Sequence, residues 1–157
     1  MSSAYPPRLA TAGDAVVVAT LLHDFNTEFD TASPGVDVLA GRLAVLLAAE
    51  RTFAILAGEP AIAVALVTLR SNVWYDGPVA LLDELYVVPA LRGNGIGTAV
   101  VELLLSTARD RGAELVEINV DDSDVAAQRF YRRHGFLDIE PATGERARYF
   151  WQELEPS

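Results

Sequence analysis

The sequence predicts an α/β domain of the α+β type. Its mixed, largely antiparallel twisted sheet should have six to seven strands, with about four helices on both faces. Three observations predict this. Strand-sized apolar runs alternate with segments of helical periodicity in the order β-α-α-β-β-β-α-β-α-β-β. Short turns join the early strands and make them hairpins, hence antiparallel. One later strand, Val79 to Val88, is apolar on both faces and should lie centrally. It leads through a helix to the next strand, a unit expected to be a right-handed parallel crossover.

Each element has a local reason. Pro6-Pro7-Arg8-Leu9 suits a short edge strand, where proline is tolerated, and Thr11 to Asp14 reads as a cap. Val16 to Phe29 reads as a helix that breaks at Thr31-Ala32-Ser33-Pro34-Gly35. Val36 to Glu50 reads as a second, with Leu39, Leu43, Leu46 and Leu47 on one face. Thr52 to Ala57 and Ala61 to Arg70 are strands around a Gly58-Glu59-Pro60 turn, and Asn72 to Pro78 is a further turn. Ile96 to Arg111 is amphipathic: Val100, Val101, Leu104 and Ala108 form its buried side, and Glu102, Ser106 and Arg109 its polar stripe. Leu115 to Val120 follows as a strand. Asp124 should cap a short helix running to His134, closed by Gly135. Phe136 to Ile139 and Arg146 to Leu154 are the expected last strands.

The 157 residues suit one domain, residues 1–157. Apolar residues at 51% and charged residues at 22% mark a globular chain. No apolar run reaches the roughly 20 residues of a membrane span, and no charged head with an apolar block marks a secretion signal. Cysteine is absent, which excludes disulfides, thiolate metal sites and cysteine nucleophiles. These features favour a cytoplasmic protein with no membrane partner. The net charge of −10 argues against nucleic acid and favours cationic partners. All 12 basic residues are arginine. Without lysine there is no lysine-dependent phosphate loop and no Schiff-base chemistry. His23 and His134 have no second ligand at metal spacing, so no metal is expected. A serine-hydrolase elbow is missing too.

The most informative segment joins the central strand to a helix: Leu85-Tyr86-Val87-Val88-Pro89-Ala90-Leu91-Arg92-Gly93-Asn94-Gly95-Ile96-Gly97-Thr98. Three glycines at alternating positions let the backbone adopt positive φ and approach a ligand closely. Successive N–H groups at the positive end of a helix dipole can then hold phosphate oxygens, and Arg92 adds fixed charge. A dinucleotide fingerprint would need a glycine where Thr98 stands. Upstream, Asp83 and Glu84 are adjacent carboxylates on an otherwise apolar strand, costly to bury without purpose. Strand alternation should turn them to opposite faces, so at most one points at a given substrate. One of them could instead pair with Arg42 or Arg70.

Arg92-Gly93-Asn94-Gly95-Ile96-Gly97 resembles the acetyl-CoA signature of the GNAT superfamily of N-acetyltransferases, Arg/Gln-x-x-Gly-x-Gly/Ala. Asp124-x-x-Ala127-x-x-Phe130-Tyr131-x-x-x-Gly135-Phe136 is similar to the family's second motif, with Asp124 in place of the usual asparagine. As a helix cap the two are nearly equivalent. Arg8-Leu9-Ala10-Thr11-x-x-Asp14 is similar to many family N-termini, so the resemblance spans nearly the whole chain.

The resemblance implies an acyltransferase that moves an acetyl group from acetyl-CoA to a primary amine by direct attack on the thioester. The acceptor suggested is a small cationic amine such as a polyamine, an aminoglycoside or an amino-acid-like compound. A protein terminus or lysine is the alternative acceptor, and a non-catalytic acyl-CoA sensor the alternative role. The implied catalytic residues are Tyr131, as donor to the leaving sulfur, and Glu84 or Asp83 as base, often through water. The implied acetyl-CoA contacts are Leu85, Tyr86, Val87, Arg92, Gly93, Asn94, Gly95, Ile96, Gly97, Thr98, Asn119, Asp124 and Ala127. Glu28 and Asp30, between the first two helices, are the implied acceptor-side residues, and Asp121 and Asp122 could add to the same field. A monomer and a homodimer both stay open.

Overall fold

The computed structural model describes residues 4–156. They form two compact units, one up to Ile118 and one from Asn119.

The first unit is built on a five-stranded sheet in the order β1 (Pro7–Leu9), β2 (Thr52–Ala57), β3 (Ala63–Arg70), β4 (Val79–Val87) and β5 (Leu115–Ile118). The first three pairings are antiparallel and the last is parallel. Every residue of β2 is buried, as expected of a strand covered on both faces. Helices α1 (Ala15–Glu28) and α2 (Val36–Ala48) cover one face, where Val18, Ala19 and Leu43 pack with Leu56, Val64 and Tyr86. Helix α3 (Ile96–Asp110) packs with β2, β3 and β4 and buries Val100, Val101, Leu104 and Ala108, the stripe its periodicity predicts. In α2 the predicted stripe is only partly right: Leu43 is buried, Leu39 and Leu47 are half-buried, and Leu46 is exposed. The β3–β4 turn passes so close to the α3–β5 turn that a Cβ at Gly77 would collide with the Gly112 carbonyl oxygen.

At the start of the unit, Asp14 accepts from the Thr11 backbone N–H and holds Arg8 in a two-pronged ion pair at 2.9 Å. These bonds, Arg8's first, lower the Asp14 carboxyl well below its ordinary range.

The second unit holds α4 (Val125–Arg133). Asp124 caps it as predicted, accepting from the Ala127 N–H at 3.0 Å. Gln128 Nε2 donates to the Asp121 and Asp122 carbonyls and secures the approach to the helix. The sheet expected to have six to seven strands has five among the described residues. The segments Phe136 to Ile139 and Arg146 to Leu154 do not form strands, and only the bridge between Ile139 and Arg146 joins them. Two short segments joined by a Pro141-to-Gly144 turn make a lone hairpin, which is marginal without a third strand or an apolar face to pack.

Among the described residues no helix is long and apolar enough to cross a membrane. None of their side chains cluster as three or more possible metal ligands.

Candidate active site

The site is built around the second half of β4. Residues Val79 to Leu82 pair with β3 on one side and with β5 on the other, and the β5 pairing ends at Leu82 and Ile118. Beyond it, residues 83–87 have no partner on that side among residues 4–118. Their backbone donors and acceptors on that edge are free of the sheet ladder, as an extended ligand needs.

The register shows why the strand changes there. Leu66 faces Glu84, but its neighbour Val67 faces Leu82, so Asp83 is an extra residue, a β-bulge. Cross-strand partners share a face, and so do residues two apart on one strand. Leu66 and Thr68 therefore put Glu84 and Leu81 on one face. Asp83 joins them, because Thr68 Oγ1 donates to Asp83 Oδ2 at 2.5 Å. The expectation that the two carboxylates face opposite sides is corrected: the bulge breaks the alternation and brings both to the face covered by α1 and α2. Both are held above the ordinary carboxylate range. For Asp83 the cause is partial burial, opposed by the Thr68 hydrogen bond. For Glu84 it is burial first and the Asp83 charge second. Among the described residues neither pairs with an arginine; Arg70 is taken by Glu117 at 2.7 Å. The Glu84 carboxylate has no hydrogen bond among the described residues, whereas that of Asp83 has Thr68.

Past Val87 the chain makes one 3-10 turn, Pro89–Leu91, and enters the glycine loop. Gly93 and Gly95 adopt φ of +81° and +78°, and a Cβ at either would meet nothing within 4 Å. The glycines are thus needed for backbone conformation and leave the concave side open. Asn94 Nδ2 donates to the carbonyls of Leu91 and Arg92 and tightens the turn. Ile96 anchors the start of α3 in the core at 2% exposure. Gly97 and Thr98 lie in its first turn, at the positive end of the helix dipole. The open glycine backbone and helix N-terminus fit the phosphates of a coenzyme A.

Two residues expected to serve different ligands are bound to each other. Arg92 grips Glu28 with both terminal nitrogens, each at 2.9 Å, and its Nε donates to the Val87 carbonyl at 2.9 Å. The Tyr86 hydroxyl donates to the same Glu28 carboxylate at 3.3 Å, and the Arg92 guanidinium lies 5.5 Å from the Tyr86 ring centre. Tyr86 stacks on Phe25 of α1 at 5.1 Å. Burial, with the Glu28 charge next, raises its phenol. Leu85 and Val87 are half-buried neighbours on the open stretch. Asp30 is exposed just beyond α1, at φ +51°. Sequence reasoning missed Thr68, the bulge and the Glu28 to Arg92 pair. Thr68 carries a weak signal, a hydroxyl in an apolar strand; contacts across the sequence carry none.

In the second unit, Tyr131 is buried and sits edge-on to Phe130 at 5.1 Å and to Phe136 at 5.6 Å. Phe130 also meets His134 at 4.6 Å. Ala127 lies in the capped first turn and Asn119 opens the unit.

The family model described as Acetyltransferase (GNAT) family matches residues 18–136, which include the glycine loop, both carboxylates and Tyr131. The chain belongs to the GNAT family of acetyltransferases. The crystal structure of a protein from Arthrobacter sp. FB24, an acetyltransferase by designation only, superposes on this GNAT chain with a TM-score of 0.91. It shares 49% identity over 98% of this chain and 99% of that one. An uncharacterized N-acetyltransferase of Methanocaldococcus jannaschii is 39% identical over 66 residues, covering 42% of this chain and 29% of that protein. An aminoglycoside N(6′)-acetyltransferase of Stenotrophomonas maltophilia is 33% identical over 82 residues, covering 52% of this chain and 50% of that protein. The chain thus spans no more than half the length of these two curated relatives.

Proposed function

We propose that this GNAT protein is an acetyl-CoA-dependent N-acetyltransferase for a small cationic amine. The observation that carries the reading is the bulge at Asp83. It gathers two carboxylates of raised pKa on one sheet face, at the point where β4 loses its β5 partner and runs on to the glycine loop.

Acetyl transfer asks three things of the protein. The ammonium, with a reference pKa near 10.4, must lose a proton. The thioester oxygen must be stabilised, and the sulfur must leave as a thiol. Glu84 is the proposed base, directly or through one water. It is the more buried carboxylate by its surroundings, and its side chain has no competing hydrogen bond among the described residues. The Asp83 charge beside it raises its basicity. The amine nitrogen then bonds to the carbonyl carbon and the carbon–sulfur bond breaks; the ammonium proton taken by Glu84 passes to solvent, and the proton the nitrogen sheds as the amide forms replaces the one that goes to the sulfur. The free edge of Leu85, Tyr86 and Val87 is proposed to pair with the pantetheine arm and to offer an N–H to the thioester oxygen. Gly93 to Thr98 would hold the pyrophosphate. Tyr131 is proposed to protonate the departing sulfur, on the strength of the second family motif.

The acceptor class follows from charge. Glu28, Asp83, Glu84 and Glu117 belong to one side of the sheet, against Arg70 and Arg92, within a chain of net charge −10. The aminoglycoside acetyltransferase relative also has a polycationic acceptor in its name. Thiol release from acetyl-CoA, measured with polyamines, aminoglycosides, amino acids and peptides, tests the reading. Turnover is expected with a di- or polycationic small amine. Tight coenzyme A binding without turnover in any class would overturn it.

A further inference from the structure

The Glu28 to Arg92 pair sets a constraint that the proposed function alone does not meet. Arg92 is placed to meet the phosphates of coenzyme A, and Glu28 to meet the acceptor's ammonium. In the structure each occupies the other through two parallel hydrogen bonds, with side chains 42% and 25% exposed. An arginine fork held on a carboxylate has few donors left for a phosphate. We propose that Glu28 is a competitor for Arg92 that couples the two substrates: neutralising Glu28, as a bound ammonium would, releases Arg92 to the coenzyme and tightens its binding. This rests on the acetyl-CoA reading above.

Three features support a pair that opens rather than a fixed strut. Arg92 stays tethered through Nε to the Val87 carbonyl, so its outer nitrogens can turn without leaving the loop. Glu28 is the last residue of α1, next to the break before α2, where the backbone is least constrained. Tyr86 donates to Glu28 as well and can keep a hydrogen bond on it when Arg92 departs. By linkage, whichever ligand opens the pair first meets the cost, and the second binds more tightly by the same factor.

Calorimetric titration with coenzyme A tests this in four proteins: wild type, Glu28→Gln, Arg92→Gln and the double variant. Glu28→Gln should tighten coenzyme A about three- to tenfold at low salt, and Arg92→Gln should weaken it. In the Arg92→Gln background, Glu28→Gln should change affinity less than about twofold, because there is no guanidinium left to release. Equal tightening in both backgrounds would mean that Glu28 simply repels the phosphates, and would overturn the coupling. So would unchanged or weaker binding in a Glu28→Gln protein with wild-type circular dichroism and melting. Failure of the wild type to bind coenzyme A would instead overturn the acetyl-CoA reading itself, and the coupling with it.

Discussion

The two halves of β4 are consecutive stretches of one strand and behave differently. Val79, Ala80 and Leu82 are at most 2% exposed and lie between two neighbouring strands. Among residues 4–118, residues 83–87 keep β3 as their one neighbouring strand, and carry the two carboxylates, the Tyr86 hydroxyl and the open edge. One inserted residue separates the halves. The bulge costs a regular ladder bond, turns Asp83 and Glu84 to one face, and coincides with the end of the β5 pairing. A strand that is core at its beginning becomes a site at its end, and the rigid half positions the reactive one.

That contrast can be broken at three places. The largest effect is expected at Glu84. Glu84→Gln should lower kcat/KM about 10²- to 10⁴-fold if the carboxylate is the base. It should also stabilise the fold at alkaline pH. A carboxyl whose folded pKa is raised binds its proton more tightly when folded. Its favourable contribution is therefore present at low pH and lost as pH rises through the folded value. Glutamine carries no such loss, so urea midpoints of variant and wild type should part at pH 8 and converge below the ordinary glutamate pKa, at about pH 3.5. A variant destabilised at pH 8 would mark Glu84 as structural.

Next comes the core half. Leu82→Ala removes a side chain 1% exposed in the middle of the sheet and should cost about 2–5 kcal/mol in denaturant unfolding. The folded variant should keep the acid limb of its pH–rate profile where the wild type has it. A displaced limb would show that the halves are not independent.

The smallest effect sharpens the comparison within the site. Asp83→Asn removes the second of the two causes that raise Glu84, so the acid limb of kcat/KM should move to lower pH. The maximal rate should stay within about fivefold. Loss of activity comparable to that of Glu84→Gln would transfer the role of base to Asp83.

Much of the fold was legible because it depends on local chemistry. Helix α3 buries the stripe its periodicity predicts, Asp124 caps the helix it precedes, and the glycine loop opens where strand meets helix. The last two strands were misread because strand residues realise their preference only through neighbours, and the described Phe136 to Leu154 has only a single bridge. The site was half legible. Asp83 and Glu84 stand out as charges on an apolar strand, but the face they share could not be read, since alternation assumes a strand without insertions.

By itself the sequence determined the order of elements as far as the helix capped by Asp124, the place of the glycine loop, the acidic field and the adjacent carboxylates on the central strand. Each follows from the side chains and backbone freedom of a few adjacent residues. Only the tertiary structure decided that β5 leaves β4 at Leu82, that a bulge turns both carboxylates to one side, and that Arg92 rests on Glu28. Those outcomes depend on register between strands and on charges 64 positions apart in the chain. No local rule encodes such a meeting; it is settled by which packed arrangement buries the apolar faces while pairing the charges that remain.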